Sequence, residues 1–359
     1  MIETHTVNAL MDTQFRHGAF FSTLNFINGL VAPSFLFCAG FAFAITAVRK
    51  WDDYLGLHRS FWKYLSRLSF ILIVGYSLHL PFFSLRKILA TTDRDAIISL
   101  FQVDILHVIA VTLTVSLFLL VVLRNKDLYI TAIGIIAALM VAATATVVHL
   151  PSTGIPLWMA EYFSRAYKSE FLLFPWSSFL LAGVLAGFWF IGKDRFKTED
   201  RFWIYAGITA AVIAVAGVKG YFTNSPGFFW SDSPEFFIVR LGIVAIIGLA
   251  LLRFENPSAP SATSQNRSLI LLFGRESLLV YAVHLLIVYG DRYAWSFRRL
   301  FEPHLTFAQC IGLFAILTLL MYALAFGWHS IKNWNIKAAK ALQYVILGSI
   351  VLDFVLRPW

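Results

Sequence analysis

The sequence predicts an all-α fold: a polytopic transmembrane helical bundle of about ten full spans plus a truncated first helix. Three observations predict it. Hydrophobic residues make up 59% of the chain and charged residues only 14%, with a mean hydropathy of +0.73, well beyond the roughly 45–50% apolar content of a soluble domain. Apolar windows long enough to cross a bilayer, roughly 20 residues each, recur from one end to the other. Lysine and arginine gather in alternate connections, as they do in helical membrane proteins. No connection leaves room for a soluble domain, so residues 1–359 are expected to form a single transmembrane domain.

In chain order, the first stretch is Met1–Met11, where Glu3, Thr4, His5, Thr6 and Asn8 fall within two turns. It is too short to span a membrane and reads as the second half of a membrane helix, with His5 turned into the protein. The expected spans then run Asn25–Val48, Tyr64–Leu85, Asp104–Leu123, Leu128–His149 and Phe171–Ile191, followed by Phe202–Tyr221, Phe236–Arg253, Leu269–Gly290, Thr306–Trp328 and Ala338–Leu356. The Pro- and Ser-rich piece Asn256–Ser261 is expected to be a flexible connection between helices. There is no internal repeat. Both cysteines, Cys38 and Cys310, lie inside apolar runs, so neither a disulfide framework nor a zinc site is expected, and no other metal.

A net charge of +9 in so apolar a chain points to basic residues flanking helices on the cytoplasmic side and not to nucleic acid. Arg49, Lys50, Arg59 and Lys63, then Arg124 and Lys126, then Lys193, Arg195, Lys197 and Arg201, then Arg253 and Arg267, then Lys332, Lys337 and Lys340 share one set of connections. That set is expected to face the cytoplasm, which puts the N-terminus inside and Arg357–Trp359 outside. Arg292, Arg298 and Arg299 crowd one outer connection and weaken the bias.

With that orientation, polar side chains from many helices meet toward the outer face. They are His5, then Asn25 and Asn28, then His79, then Asp104 and His107, which sit three residues apart on one helical face. His149, Glu235, Arg240 and His284 fall at the same level. Ionisable groups at membrane depth are costly and mark a pathway or a site. The competing explanation, wetting at helix ends, weighs most for His149 and Glu235 and least for His5, Asp104 and His107. Gly29, Gly40, Gly183 and Gly187 are expected to serve close helix packing, and Pro33 to kink its helix.

Four blocks resemble a known family. Asn25–Phe41 (NFINGLVAPSFLFCAGF), Phe101–His107 (FQVDILH), Phe174-Pro175-Trp176 with Gly183 and Gly187, and Gly274–His284 (GRESLLVYAVH) resemble the heparan-alpha-glucosaminide N-acetyltransferase-like membrane proteins. These resemble in turn the acyltransferase type 3 superfamily. The resemblance spans nearly the whole chain. It implies an enzyme that moves an acyl group, usually acetyl from cytoplasmic acetyl-CoA, to a sugar hydroxyl or amine outside, in what would be a bacterial inner membrane. His5 matches a first-helix histidine with a catalytic role, while the arginine that precedes it in the superfamily would fall ahead of Met1.

The chemistry agrees with the map of polar residues. Neutral imidazole can act on a thioester either as nucleophile or as general base, and the sequence leaves both open. His5, Asp104 and His107 are the catalytic candidates, with Asp104 or Asn28 expected to orient His5. Asn25, Asn28, His79, Trp176 and His284 are the substrate-binding candidates, Trp176 as a stacking surface for a sugar. Arg275, with Arg67 behind it, is expected to meet the phosphates of acetyl-CoA, the acyl donor. Both also fit as flanking positive charge. The expected partners are the lipid bilayer and a glycan or glycolipid acceptor, with a homo-oligomer or membrane-complex partner left open. Two other classes compete: a transporter or flippase using the same polar cavity, and a non-catalytic membrane subunit.

Overall fold

A computed structural model describes residues 1–151, 154–191, 199–223, 233–253, 269–290, 295–302 and 304–357. The Asn256–Ser261 connection and Arg292 lie outside the described residues, as do most of the 193–201 connection and the C-terminal pair 358–359. The described secondary structure is helical, apart from one isolated bridge between Met11 and Leu305.

The helices are α1 (Ile2–Leu10), α2 (Gly18–Asn28), α3 (Val31–Arg49), α4 (Trp51–Leu55), α5 (Arg59–Leu78) and α6 (Leu85–Ala90). Next come α7 (Arg94–Phe101), α8 (Ile105–Leu123), α9 (Lys126–Val147), α10 (Leu157–Phe163), α11 (Leu173–Ile191), α12 (Glu199–Thr223) and α13 (Pro234–Arg253). The last are α14 (Leu269–Arg275), α15 (Ser277–Tyr289), α16 (Phe297–Phe301), α17 (Phe307–Trp334) and α18 (Ile336–Leu356).

Every expected span falls on one of these helices or on a pair of them. Among the described residues seven helical segments are long and apolar enough to cross a membrane, and α14 with α15 would make an eighth if the bent pair is one span. The difference from about ten has a physical origin. α5 opens on Arg59, Lys63 and Arg67, which lower its apolar content, and in α12 the apolar stretch is only Ile204–Gly220.

The chain divides into two compact units, residues 29–79 with 98–255 and residues 1–28 with 80–97 and 256–359. In the larger unit α11 is the hub, packing on α3, α9 and α8, while α5 lies along α8 and α12 pairs with α13. Close approach of α3 and α11 depends on missing side chains. A Cβ on Gly40 would stand 1.9 Å from the Leu180 carbonyl oxygen, and one on Gly183 would stand 2.0 Å from that of Phe37. These glycines therefore serve helix packing, as expected. Hydroxyls reinforce the contacts: Thr112 and Ser177 share a 2.8 Å hydrogen bond, and Ser178 donates to the Ala137 carbonyl at 3.1 Å.

In the smaller unit α1 packs on α15 and α17. Val7, Leu10 and Met11 enter a core with Val280, Val288, Cys310, Leu317 and Met321. Arg16 caps the end of α1 by donating to the Met11 carbonyl at 2.7 Å and the Asn8 carbonyl at 3.1 Å, so α1 is a well-tied element despite its nine residues. α14 and α15 meet at 81°. The residue at the corner is Glu276, which is buried, and its carboxylate is answered from α17 by Lys332 and by His329, whose Nδ1 lies 3.4 Å away.

Candidate functional site

The best-organised polar cluster lies in the larger unit and is built by a helix cap. Asp104 is the N-cap of α8, and its Oδ1 accepts from the amides of Leu106 at 2.8 Å and His107 at 3.3 Å. Such capping fixes the carboxylate at the first turn. Three residues on, the His107 ring folds back and places Nδ1 2.8 Å from the same Oδ1. Nδ1 also lies 3.1 Å from the Asp104 amide. It cannot donate to the carboxylate and accept from the amide at once, and an ionised Asp104 selects donation. The second carboxylate oxygen, Oδ2, faces His79 Nε2 at 3.5 Å. One carboxylate thus stands between two imidazoles.

The His107 ring is fully buried. Its Nε2 has no hydrogen-bond partner among the described residues, which leaves a lone pair for a proton or an acyl carbon. Tyr76 stands edge-on to the ring at 4.2 Å, and the Tyr76 hydroxyl shares a 3.0 Å hydrogen bond with that of Tyr162. Gly75 makes room: a Cβ there would be 2.8 Å from His107 Cε1. Next to Tyr162 on α10 is Glu161, fully buried and hydrogen-bonded to Ser169, whose Oγ accepts from the Val103 amide at 2.8 Å. Burial pushes the Glu161 carboxyl up, with the Ser169 hydrogen bond opposing.

A second histidine centre occupies the smaller unit. His5 on α1 lies 5.3 Å, centroid to centroid, from His284 on α15, with Tyr289 edge-on at 5.7 Å and its hydroxyl on the His5 carbonyl at 3.2 Å. His284 is fully buried, and its Nδ1 lies 2.7 Å from the Val280 carbonyl. A carbonyl only accepts, so Nδ1 carries the proton and Nε2 the lone pair. That Nε2 also has no hydrogen-bond partner among the described residues.

The candidates named from the sequence therefore sort into groups. Asp104, His107 and His79 come together, and so do His5 and His284. Asp104, expected with Asn28 as the alternative to orient His5, turns its two oxygens to His107 and His79. The capping geometry of α8 is the reason, because it turns the carboxylate toward its own helix. Asn28 is half-buried and Asn25 exposed. Trp176 is buried among Phe171, Phe179 and Phe236, with ring centroids 4.8, 5.8 and 5.8 Å away, so aromatic packing already surrounds it. Arg275 closes α14 and Arg67 lies on α5, both exposed. Among the described residues no group of three or more His, Cys, Asp or Glu side chains is arranged to hold a metal ion.

Sequence reading missed Tyr76, Tyr162, Glu161 and Ser169. Glu161 alone carried a signal, as the one charge in the apolar helix LWMAEYF.

An α-helical membrane protein with buried carboxylate–imidazole chemistry defines the class. The catalytic family of heparan-alpha-glucosaminide N-acetyltransferase matches residues 1–218, well over half of the chain, and the protein belongs to that family. The matched segment contains His5, Asp104, His107 and Glu161, while His284 and Glu276 lie beyond it. No curated protein and no solved structure matches the chain.

Proposed function

We propose that the protein transfers an acetyl group from acetyl-CoA on the cytoplasmic side to a hydroxyl or amine of a sugar at the outer face. The observation that carries this reading is the Asp104–His107 pair. A carboxylate on Nδ1 fixes the tautomer and stabilises the charge that develops when Nε2 takes a proton. Nε2 itself is buried and has no hydrogen-bond partner among the described residues. A positioned imidazole of this kind deprotonates the acceptor as it attacks the thioester carbonyl, a role worth typically 10²–10⁴-fold in rate. The alternative of acyl capture at a histidine uses the same nitrogen. His5 enters as the second imidazole candidate, by its place beside His284 and inside the segment that the family matches. Arg275 and Arg67, each an exposed residue, are separate candidates for a phosphate of the donor.

The bend at Glu276 favours one other reading, a transporter, since discontinuous helices build transporter sites. Purified protein in lipid nanodiscs, given radiolabelled acetyl-CoA and a panel of amino sugars and oligosaccharides, decides between them. The acetyltransferase reading requires label to pass to a sugar or to the protein, and His107→Ala to abolish it. Intact acetyl-CoA in every reaction, with flux of a sugar or lipid-linked sugar across the membrane, would establish the transporter.

A further inference from the structure

The cluster around His107 contains a second carboxyl group whose surroundings are the reverse of those of Asp104. Both Asp104 oxygens face imidazole nitrogens, and Oδ1 also accepts backbone amides. Glu161 has no such company. Its Oε2 meets Ser169, and its Oε1 is buried with no hydrogen-bond partner among the described residues.

The direction of the Ser169 bond can be worked out. Ser169 Oγ accepts from the Val103 amide at 2.8 Å, so its own proton turns to Glu161, and Oε2 acts as acceptor. Any proton on the Glu161 carboxyl therefore sits on Oε1. An ionised carboxylate with one oxygen buried and unpaired would be strongly disfavoured, whereas the neutral acid places a donor at that point. The groups that bear on it electrostatically are His79 and Lys168, while Asp104 acts on the adjoining Tyr162. Two carboxyls whose surroundings push their proton affinities apart can divide the acid and base roles between them.

We propose that Glu161 is the proton donor of this site, uncharged in the resting protein, and that it hands the proton on Oε1 to the sulfur leaving the acyl donor. The proposal rests on the acetyltransferase reading. In the transfer, the acceptor O–H or N–H proton goes to His107 Nε2 as its oxygen or nitrogen bonds to the acyl carbon. The C–S bond breaks, and the sulfur keeps the electron pair and takes the proton from Glu161. That leaves an imidazolium at His107 and a carboxylate at Glu161. One proton moved from the first to the second restores both; Asp104, which faces both His107 and His79, and His79, which bears electrostatically on Glu161, are the titratable groups at hand. No other group in the cluster fits the donor role as well. Asp104 is engaged at both oxygens, and the two tyrosines are hydrogen-bonded to each other, with burial raising the Tyr162 phenol further.

The test has two independent readouts on the full-length protein in nanodiscs. The first is infrared difference spectroscopy at neutral pH. Wild type minus Glu161→Gln should show the C=O stretch of a protonated carboxylic acid, and Glu161→Asp should shift that band if Glu161→Gln does not fold. The second is the dependence on leaving group. Glu161→Gln should lose on the order of 10²-fold in kcat with acetyl-CoA and markedly less with an acetyl thioester of an aryl thiol, which departs without an acid. Absence of the protonated band, or equal losses with both donors, overturns the proposal. His107→Ala should fail with both donors. Full activity in that variant would sink the acetyltransferase site instead, and the infrared band would still report on Glu161.

Discussion

The two units each contain a buried histidine whose Nε2 has no hydrogen-bond partner among the described residues, and the groups behind the two rings differ. His107 sets its Nδ1 against a carboxylate that also faces His79, while His284 sets its Nδ1 against a backbone carbonyl. Both partners fix the tautomer. Only the carboxylate supplies a counter-charge. A proton arriving at His107 makes an ion pair with Asp104, while one arriving at His284 makes a buried cation facing a neutral dipole, which is far more costly. On the proposed reading, proton abstraction therefore falls to the larger unit. That leaves His284, beside His5, as a neutral imidazole suited to accepting a hydrogen bond from a ligand.

The sharpest way to break that comparison is to remove each ring in turn. His107→Ala should lower kcat by ~10²–10⁴-fold, and Asp104→Asn should fall with it because the amide keeps the cap and loses the charge. His284→Ala should act mainly on KM. A kcat loss in His284→Ala as large as that in His107→Ala would move the base to the other unit. Crowding the first ring without removing it should have a smaller effect. Gly75→Ala places a methyl group 2.8 Å from His107 Cε1, and displacing a catalytic group by about 1 Å can cost up to ~10² in rate. Alanine also gains about 1 kcal/mol of helix propensity over glycine. The melting temperature should therefore move little while kcat falls, and unchanged kcat would show that the ring position is not critical.

The equivalent perturbation of the smaller unit acts through the bend that aims α15. Lys332→Met leaves the Glu276 carboxylate, only 4% exposed at the side chain, with His329 as its remaining partner. Lys332 is itself 30% exposed, so the loss should be modest, about 1–3 kcal/mol. The double variant Glu276→Gln/Lys332→Met should recover most of it, because no buried charge is stranded. Thermal unfolding in detergent measures both. Additive losses would mean that the two side chains do not act as a pair.

Much of this was legible in the sequence, for reasons specific to membrane proteins. Unbroken apolar windows have few alternatives to helix in a bilayer, so every expected span found its helix. Asp104 and His107 were legible as a pair from their three-residue spacing, which the structure realises as a helix cap and the first turn that follows it. The partner of His5 was not, because it depends on which helices pack together, and His5 meets His284 across more than 270 residues of chain. Glu161 was hidden for a related reason. Its importance comes from burial against Ser169 and the amide of Val103, and neither contact leaves a mark on the periodicity of a seven-residue helix.

The smallest effect should appear in the pH dependence of stability, where it bears on the two carboxyls of the larger unit. Burial raises the Glu161 carboxyl above its unfolded value, so the folded state binds the proton more tightly than the unfolded chain does. The associated stability is fully present below the ordinary glutamate range and is lost as pH rises through the raised folded value. Glu161→Gln cannot ionise, so its melting temperature should fall less steeply over that window than the wild type's, with the two curves converging toward acid. His79 and Lys168 favour the ionised form and oppose the shift, so His79→Gln should steepen the wild-type slope. Parallel curves for wild type and Glu161→Gln would mean that Glu161 ionises as readily in the folded protein as in the unfolded chain. The two carboxyls of this unit would then no longer differ in the way that separates acid from base.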